Sequence, residues 1–308
     1  MGITICPVNE DFAAEICDVD LASPTQENLE EIKQAFWTYA VLIFPDQKLS
    51  QEQHVEFAKN FGPIDHSVIN KAVADQKLRV RDDIADVSNI GADNKVLEEG
   101  NRLRGLQLGN RLWHTDSSFK YVPALASLLY AREIPPVGGQ TAFADLRAAY
   151  DALPEEQKER LDGLIAEHSL VYSRERIGYT DWKEGERMAV GAVPQTLVRT
   201  IPQTGRKNLF VASHAQYIVG MDDGEATVLL DDMLQHATQS QFTYVHRWRV
   251  HDLVMWDNRC ALHRGLPYDD LRFRRDMQRA TVLDIANSCE QEGIEVPTVK
   301  LRTPVAAE

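Results

Sequence analysis

The stretch QFTYVHRWRVHDLVMWDNRCALHRG, residues 241–265, carries the pattern that decides the fold. Within QFTYVHRW (241–248), Phe242, Tyr244, His246 and Trp248 alternate with Thr243, Val245 and Arg247, the period of a strand with one buried face. DLVMWDN (252–258) and RRDMQRATVLDI (274–285) also read as strands. Successive strands with few helices between them favour sheet packed on sheet, an antiparallel β-sandwich or jelly roll. The expected fold class is mainly β with peripheral helices.

The first half of the chain supplies most of those helices. In QENLEEIKQAFWTYA (26–40), Leu29, Ile32, Phe36 and Tyr39 recur at helical spacing, and VLIFP after it is a short buried strand stopped by Pro45. SQEQHVEFAKNFGP opens with a capping box from Ser50 to Gln53 and closes at Gly62-Pro63. Further helices fall at 145–164, broken at Pro154, and at 222–238. Residues 64–110 are polar and punctuated by Gly, Asn and Asp, a place for a mobile loop over a site. With no internal repeat and no linker, residues 1–308 are expected to form a single domain.

At 308 residues and 44% hydrophobic, the chain can bury a large core. A net charge of −14 argues against nucleic acid and anionic membrane as partners, so an anionic substrate would need a local basic pocket. Four cysteines (Cys6, Cys17, Cys260, Cys289) without a C-x-x-C suit a reduced cytosol and exclude a Cys-rich zinc site. The N-terminus lacks a basic and apolar leader, and no run approaches the ~18 apolar residues of a membrane span. The expectation is a soluble, cytoplasmic protein, with room for a homo-oligomer.

RLWHTDSSF (111–119) places His114 and Asp116 two positions apart. Nine histidines and 47 acids in 308 positions give about one His-x-acid pair by chance, and there are two, the other being His54–Glu56. Those two sit on a capped helix, where residues two apart point to nearly opposite sides, so His54 reads as a helix-surface histidine. His114 and Asp116 precede the strand-like SLLYAREI, and in extended backbone residues i and i+2 share a face. One cation could take both. His263, after a strand and before a Gly-Pro-containing loop, is the candidate third ligand. Two histidines and a carboxylate with open positions form the facial triad of non-haem Fe(II) oxygenases. Spacing alone leaves open a hydrogen-bonded strand-end histidine, and His214, His246 and His251 are other candidates. Arg275 and Arg279 follow His263 by 12 and 16 residues on one strand face, together with Met277 and Thr281. Guanidinium forks there suit an anionic, chelating co-substrate.

Taken in order, His114-x-Asp116, Thr141 in GGQT, His263 and RRDMQRAT resemble the taurine/2,4-dichlorophenoxyacetate dioxygenase family, from about residue 10 to 286. LWHTDSSF, TGRKNLFVASHA and HATQSQFTYVHRWRVHDLVMWDNRCALHRG are similar to its 2,4-dichlorophenoxyacetate branch. The resemblance implies a double-stranded β-helix and an Fe(II)- and 2-oxoglutarate-dependent dioxygenase. It makes His114, Asp116 and His263 the Fe(II) ligands. It places Thr141 on the C1-side carboxylate of 2-oxoglutarate, Arg275 on the C5 carboxylate, and Arg279 between co-substrate and substrate anion. It gives the substrate carboxylate to Lys71 and Lys95.

The implied reaction hydroxylates a small anionic substrate while O2 and 2-oxoglutarate yield succinate and CO2. An aryloxyalkanoate would be cleaved to a phenol and a 2-oxo acid. The same motifs would serve a sulfonate, a sulfate ester or another small carboxylate. A cupin-type dioxygenase or zinc hydrolase would not need Arg275, and a non-catalytic jelly-roll binding module would not need the metal. The chain departs from the branch at Ile201, where the branch has a histidine before its T-G-R-K segment. The tail, residues 287–308, lies past the family-like core and has no assignment.

Overall fold

Two short apolar runs, VLIF and LVMWD, are buried along their whole length because both of their faces are covered. They form β3 (Val41–Phe44) and β13 (Leu253–Asp257), antiparallel neighbours in a seven-stranded sheet. The computed structural model describes residues 2–66, 79–183 and 185–298. The strand order in the large sheet is β1 (Thr4–Pro7), β2 (Ala13–Cys17), β3, β13, β5 (Ala124–Glu133), β15 (Asp276–Leu283) and β4 (Ala85–Asp86). Among the described residues, only β2 and β3 pair in parallel.

Side chains alternate between two cores, as the strand period requires. Val41, Ile43, Val254 and Trp256 point to one face, where they meet Phe143, Ala261 and Met277. Leu42, Phe44, Leu253 and Met255 point to the other, beneath the helices Gln26–Tyr39 and Gln51–Ala58. Phe143 and Ala261 belong to a second sheet, β12 (Thr243–His246), β6 (Thr141–Asp145) and β14 (Ala261–Gly265), which faces the first. Ala144 and Leu262 turn from that sheet to an outer layer formed by the helices Leu146–Asp151, Glu155–Leu161 and Asp223–Ala237. The rest of the β structure is the sheet β11 (Ala215–Ile218), β7 (Ile165–His168) and β8 (Val193–Thr196), and the hairpin of β9 (Val198–Thr200) with β10 (Lys207–Leu209). No helix among the described residues is long and apolar enough to cross a membrane.

The expected helix signals hold, including the reciprocal capping box of Ser50 with Gln53 and the break at Pro154. In 241–248 the strand is shorter than read, since Ser240–Phe242 is a 3-10 turn. The alternation survives: Phe242, His246 and Trp248 are buried while Val245 and Arg247 are exposed. All four cysteines are unpaired.

Three expectations are corrected. His54 is not on the surface. It is 1% exposed under the large sheet, and its Nε2 lies 3.0 Å from the Leu128 carbonyl, while Glu56 points outward. The described part of 64–110 is not a free loop. Val87 N–H donates to Met277 O and Asn89 N–H to Arg275 O, so this polar stretch extends the edge of the sheet beyond β15. The beginning of the tail is anchored too: Asn287, Ser288 and Cys289 are fully buried, and Thr196 N–H donates to the Ser288 hydroxyl.

Burial in an apolar layer holds His54 down at about 4, against an ordinary 6.5. Between those values the unfolded chain binds a proton that the folded chain refuses. The resulting stability is present above about pH 6.5 and is lost as the pH falls to about 4. His54→Gln removes this dependence. The gap in unfolding free energy between wild type and variant, from urea titrations, should narrow by on the order of 3 kcal/mol between neutral pH and pH 4. A constant gap would show that His54 takes up its proton in the folded state.

Candidate active site

β14 carries His263 on its side toward Trp256, with ring centroids 4.5 Å apart. The segment around His114 has no strand of its own and docks on β14 through one reciprocal pair. His114 N–H donates to His263 O at 3.0 Å, and His263 N–H donates to His114 O at 2.8 Å. This brings the two imidazole centroids to 4.1 Å. The Leu112 carbonyl sits 2.8 Å from Nδ1 of His114, which fixes the proton there and leaves Nε2 as the free lone pair. That Nε2 is 3.9 Å from Asp116 Oδ1, and His263 Nε2 is 3.6 Å from Asp116 Oδ2. Donor atoms of the three residues all lie within 4.8 Å of one another, and all three residues are buried.

Asp116 is held from three directions. Its backbone N–H donates to Asn258 Oδ1 at 3.1 Å, the Ser127 hydroxyl donates to its Oδ2 at 2.7 Å, and Arg279 Nη1 donates to its Oδ1. Asn258, wholly buried, ties the set together. Its amide donates to Ser127 Oγ, and its Oδ1 also accepts from Trp256 Nε1 at 2.9 Å. The Asp116 carboxylate therefore keeps one orientation while each oxygen retains a lone pair.

The electrostatics favour a cation. Burial pushes His114 down to about 4 and His263 well below its ordinary value, so both rings are neutral near pH 7. Burial alone would raise Asp116. The Arg279 guanidinium, with the Ser127 hydrogen bond, overrides it and holds the carboxyl well below the usual range. Two neutral imidazoles and an ionised carboxylate are the donor set that Fe(II) accepts while keeping open positions.

Two clefts meet at this triad, and another adjoins them at Arg275. One, with an empty volume of ≈ 390 Å³, is lined by His114, His263, Thr141, Arg275 and Arg279 among others. Thr141 Oγ accepts from Trp248 Nε1 at 3.0 Å, so its own proton is free to donate. The Arg275 side chain, 8% exposed, donates only to Gly139 O at 3.3 Å and meets no carboxylate among the described residues. A second cleft of ≈ 540 Å³ reaches Arg275 from the side of Asn89 and Tyr268. The third, ≈ 740 Å³ with its open mouth, lies across Asp116 and Arg279, with Val87, Phe119 and Leu170 as apolar wall.

The structure thus brings together His114, Asp116, His263, Thr141, Arg275 and Arg279. Lys95 is exposed in the turn closed by Gly91 N–H to Lys95 O, and it lines none of the three clefts. Lys71 lies outside the described residues. Ile201 is buried between the sheets with Phe143 and Trp256 rather than in a cleft wall. Of the other histidines, His246 pairs with Asp252 and His251 with the Tyr130 hydroxyl, while His214 stands beside His114 in the third cleft. Asn258, Ser127, Trp248 and Arg174 went unread. Only Asn258, closing a strand in the WDN triplet, carried any local signal.

A buried two-histidine, one-carboxylate centre that keeps an unpaired arginine in its own cleft defines an Fe(II)- and 2-oxoglutarate-dependent dioxygenase. The chain belongs to the taurine catabolism dioxygenase TauD, TfdA family, whose model matches residues 4–281. It is similar to an alpha-ketoglutarate-dependent 2,4-dichlorophenoxyacetate dioxygenase of Cupriavidus pinatubonensis. The two are 43% identical over 93% of this chain and 99% of the relative. A (S)-phenoxypropionate/alpha-ketoglutarate-dioxygenase of Sphingobium herbicidovorans is 38% identical over 86% of this chain and 90% of its own. Among solved structures, AAD-2 in complex with Mn(II) and N-oxalylglycine superposes with a TM-score of 0.90 at 44% identity, covering 94% of this chain and 100% of that one. Fe(II), 2-oxoglutarate and O2 are accordingly the cofactor and co-substrates.

Asn258 orients Asp116 without touching a metal position, so Asn258→Ala should weaken Fe(II) binding by about 10–100-fold in an anaerobic titration. Unchanged affinity would mean that Ser127 and Arg279 suffice to place the carboxylate.

Proposed function

We propose that this chain hydroxylates an aryloxyalkanoate beside its ether oxygen, the product collapsing to a phenol and a 2-oxo acid. The observation that carries this reading is the junction of the His114–Asp116–His263 set with a buried arginine free of carboxylate partners, Arg275, and a hydroxyl free to donate, Thr141. The relatives' named substrates supply the aryloxyalkanoate class. We read the two facing sheets as a double-stranded β-helix in one domain.

In this reading Nε2 of His114, Nε2 of His263 and the Asp116 carboxylate hold Fe(II). The metal, when bound, couples oxidation of 2-oxoglutarate by O2 to hydroxylation of a C–H bond. Thr141 donates to the carboxylate of 2-oxoglutarate nearest the metal, since its oxygen already accepts from Trp248. Arg275 takes the far carboxylate; an anion there satisfies a guanidinium that burial otherwise penalises. Arg279 lines both the co-substrate cleft and the third cleft, and it lies between the two anions. Val87, Phe119 and Leu170 give an aryl ring an apolar wall and exclude water from the reacting carbon.

The direct test is anaerobic addition of Fe(II) and 2-oxoglutarate, followed by visible absorption, then phenoxyacetates and oxygen with succinate and phenol quantified. A visible band with coupled phenol release is expected. A band without phenol from any aryloxyalkanoate would reject the substrate class and leave a sulfonate, sulfate ester or other carboxylate. Arg275→Ala should raise the KM for 2-oxoglutarate by tens- to thousands-fold, and an unchanged value would remove Arg275 from the site. Asp116→Ala should abolish iron-dependent turnover, and retained activity would mean a different ligand set.

A further inference from the structure

Building on the proposed reaction, we infer that Arg174 is the residue that anchors the substrate's carboxylate. Besides His114, four cationic or potentially cationic side chains line the third cleft beside Asp116: Lys120, Arg174, His214 and Arg279. Three are already committed. Lys120 binds both oxygens of Asp65 at 2.7 Å, and Arg279 donates to Asp116. The Ser173 hydroxyl donates to Leu170 O, so its oxygen accepts Nδ1–H of His214 at 2.9 Å. His214 thus spends its Nδ1–H on Ser173, and burial beside Arg174 disfavours a proton on its other ring nitrogen.

Arg174 is different. It is 4% exposed, and no carboxylate among the described residues pairs with it. Its hydrogen bonds are long and to neutral acceptors, Ser173 Oγ at 3.2 Å and Asn110 Oδ1 at 3.4 Å, and its Nε has no partner. A buried guanidinium in that state is costly unless an anion completes it. The neighbouring backbone is shaped around it: a Cβ on Gly109 would lie 2.4 Å from its Cζ and Nε. Arg275 in the co-substrate cleft has the same unsatisfied character. Two organic anions enter the reaction, and two buried arginines without a carboxylate flank the metal-binding set, one in each cleft. An anion on Arg174 leaves the apolar part of the molecule against Phe119, Leu170 and Val87, within reach of the triad.

The test compares wild type, Arg174→Gln, Arg174→Lys and Gly109→Ala with phenoxyacetate and with its uncharged amide. Arg174→Gln should raise the ratio of the phenoxyacetate KM to the 2-oxoglutarate KM by at least about 30-fold and abolish the preference for acid over amide. Arg174→Lys should restore part of both. Gly109→Ala, which displaces an intact guanidinium, should shift the ratio in the same direction and decides the matter if Arg174→Gln does not fold. An unchanged ratio, or a surviving preference for the acid, overturns the assignment. If wild type rejects phenoxyacetates but accepts benzenesulfonate or an alkyl sulfate, the substrate class is wrong, and the same KM ratio measured with that anion still judges Arg174. If no organic anion is turned over, both readings fall.

Discussion

The reciprocal pair of backbone hydrogen bonds between His114 and His263 is the constraint on which the active site depends. The segment carrying His114 belongs to no sheet ladder, and this pair is what joins its backbone to β14. Once the pair forms, the rings must stand side by side, and Leu112 and Asn258 need only fix a proton and a carboxylate. β14 is in turn held by β6, whose Phe143 and Ala144 face the two core layers. The geometry of His114, Asp116 and His263 is thus inherited from docking on a packed sheet, which gives a site its rigidity.

Charge is distributed against the average of the molecule. The chain carries a net −14, yet Arg174, Arg275 and Arg279 gather around a single carboxylate. The remaining acids lining these clefts are spent on partners, Asp65 on Lys120, Asp86 on Arg79 and Asp270 on Arg104. An acidic exterior with a cationic interior repels anions at long range and holds them once desolvated, because the Coulomb attraction grows as the local dielectric falls. The neutral His114 and His263 add no competing positive charge.

Much of this was legible in one dimension. The strand period placed Phe242, His246 and Trp248 inward, the Ser50 capping box began a helix, and His-x-Asp with a distant histidine and two arginines picked out residues that the structure gathers together. Other features were not legible, for definite reasons. His54 has a polar side chain on a short helix, and only the Leu128 carbonyl beneath it explains its burial. The stretch after Ala85 is too polar to read as a strand, yet its backbone pairs with the edge at β15, where side-chain pattern has no say. Arg174 sits in an ordinary helical run, LVYSRE, and nothing local distinguishes a buried guanidinium from a solvated one.

The sequence by itself determined the strongly periodic strands and the capped helices, and which residue types could coordinate a metal and bind anions. Those depend on periodicity and side-chain chemistry, which are local. Only the tertiary structure decided which candidates meet. His114 and Asp116 come from a part of the chain distant from Asn258 and His263, and their convergence is a product of strand order. The same order left Lys95 in a surface turn and enclosed Arg174 beside Asp116, because burial and pairing are properties of neighbours in space.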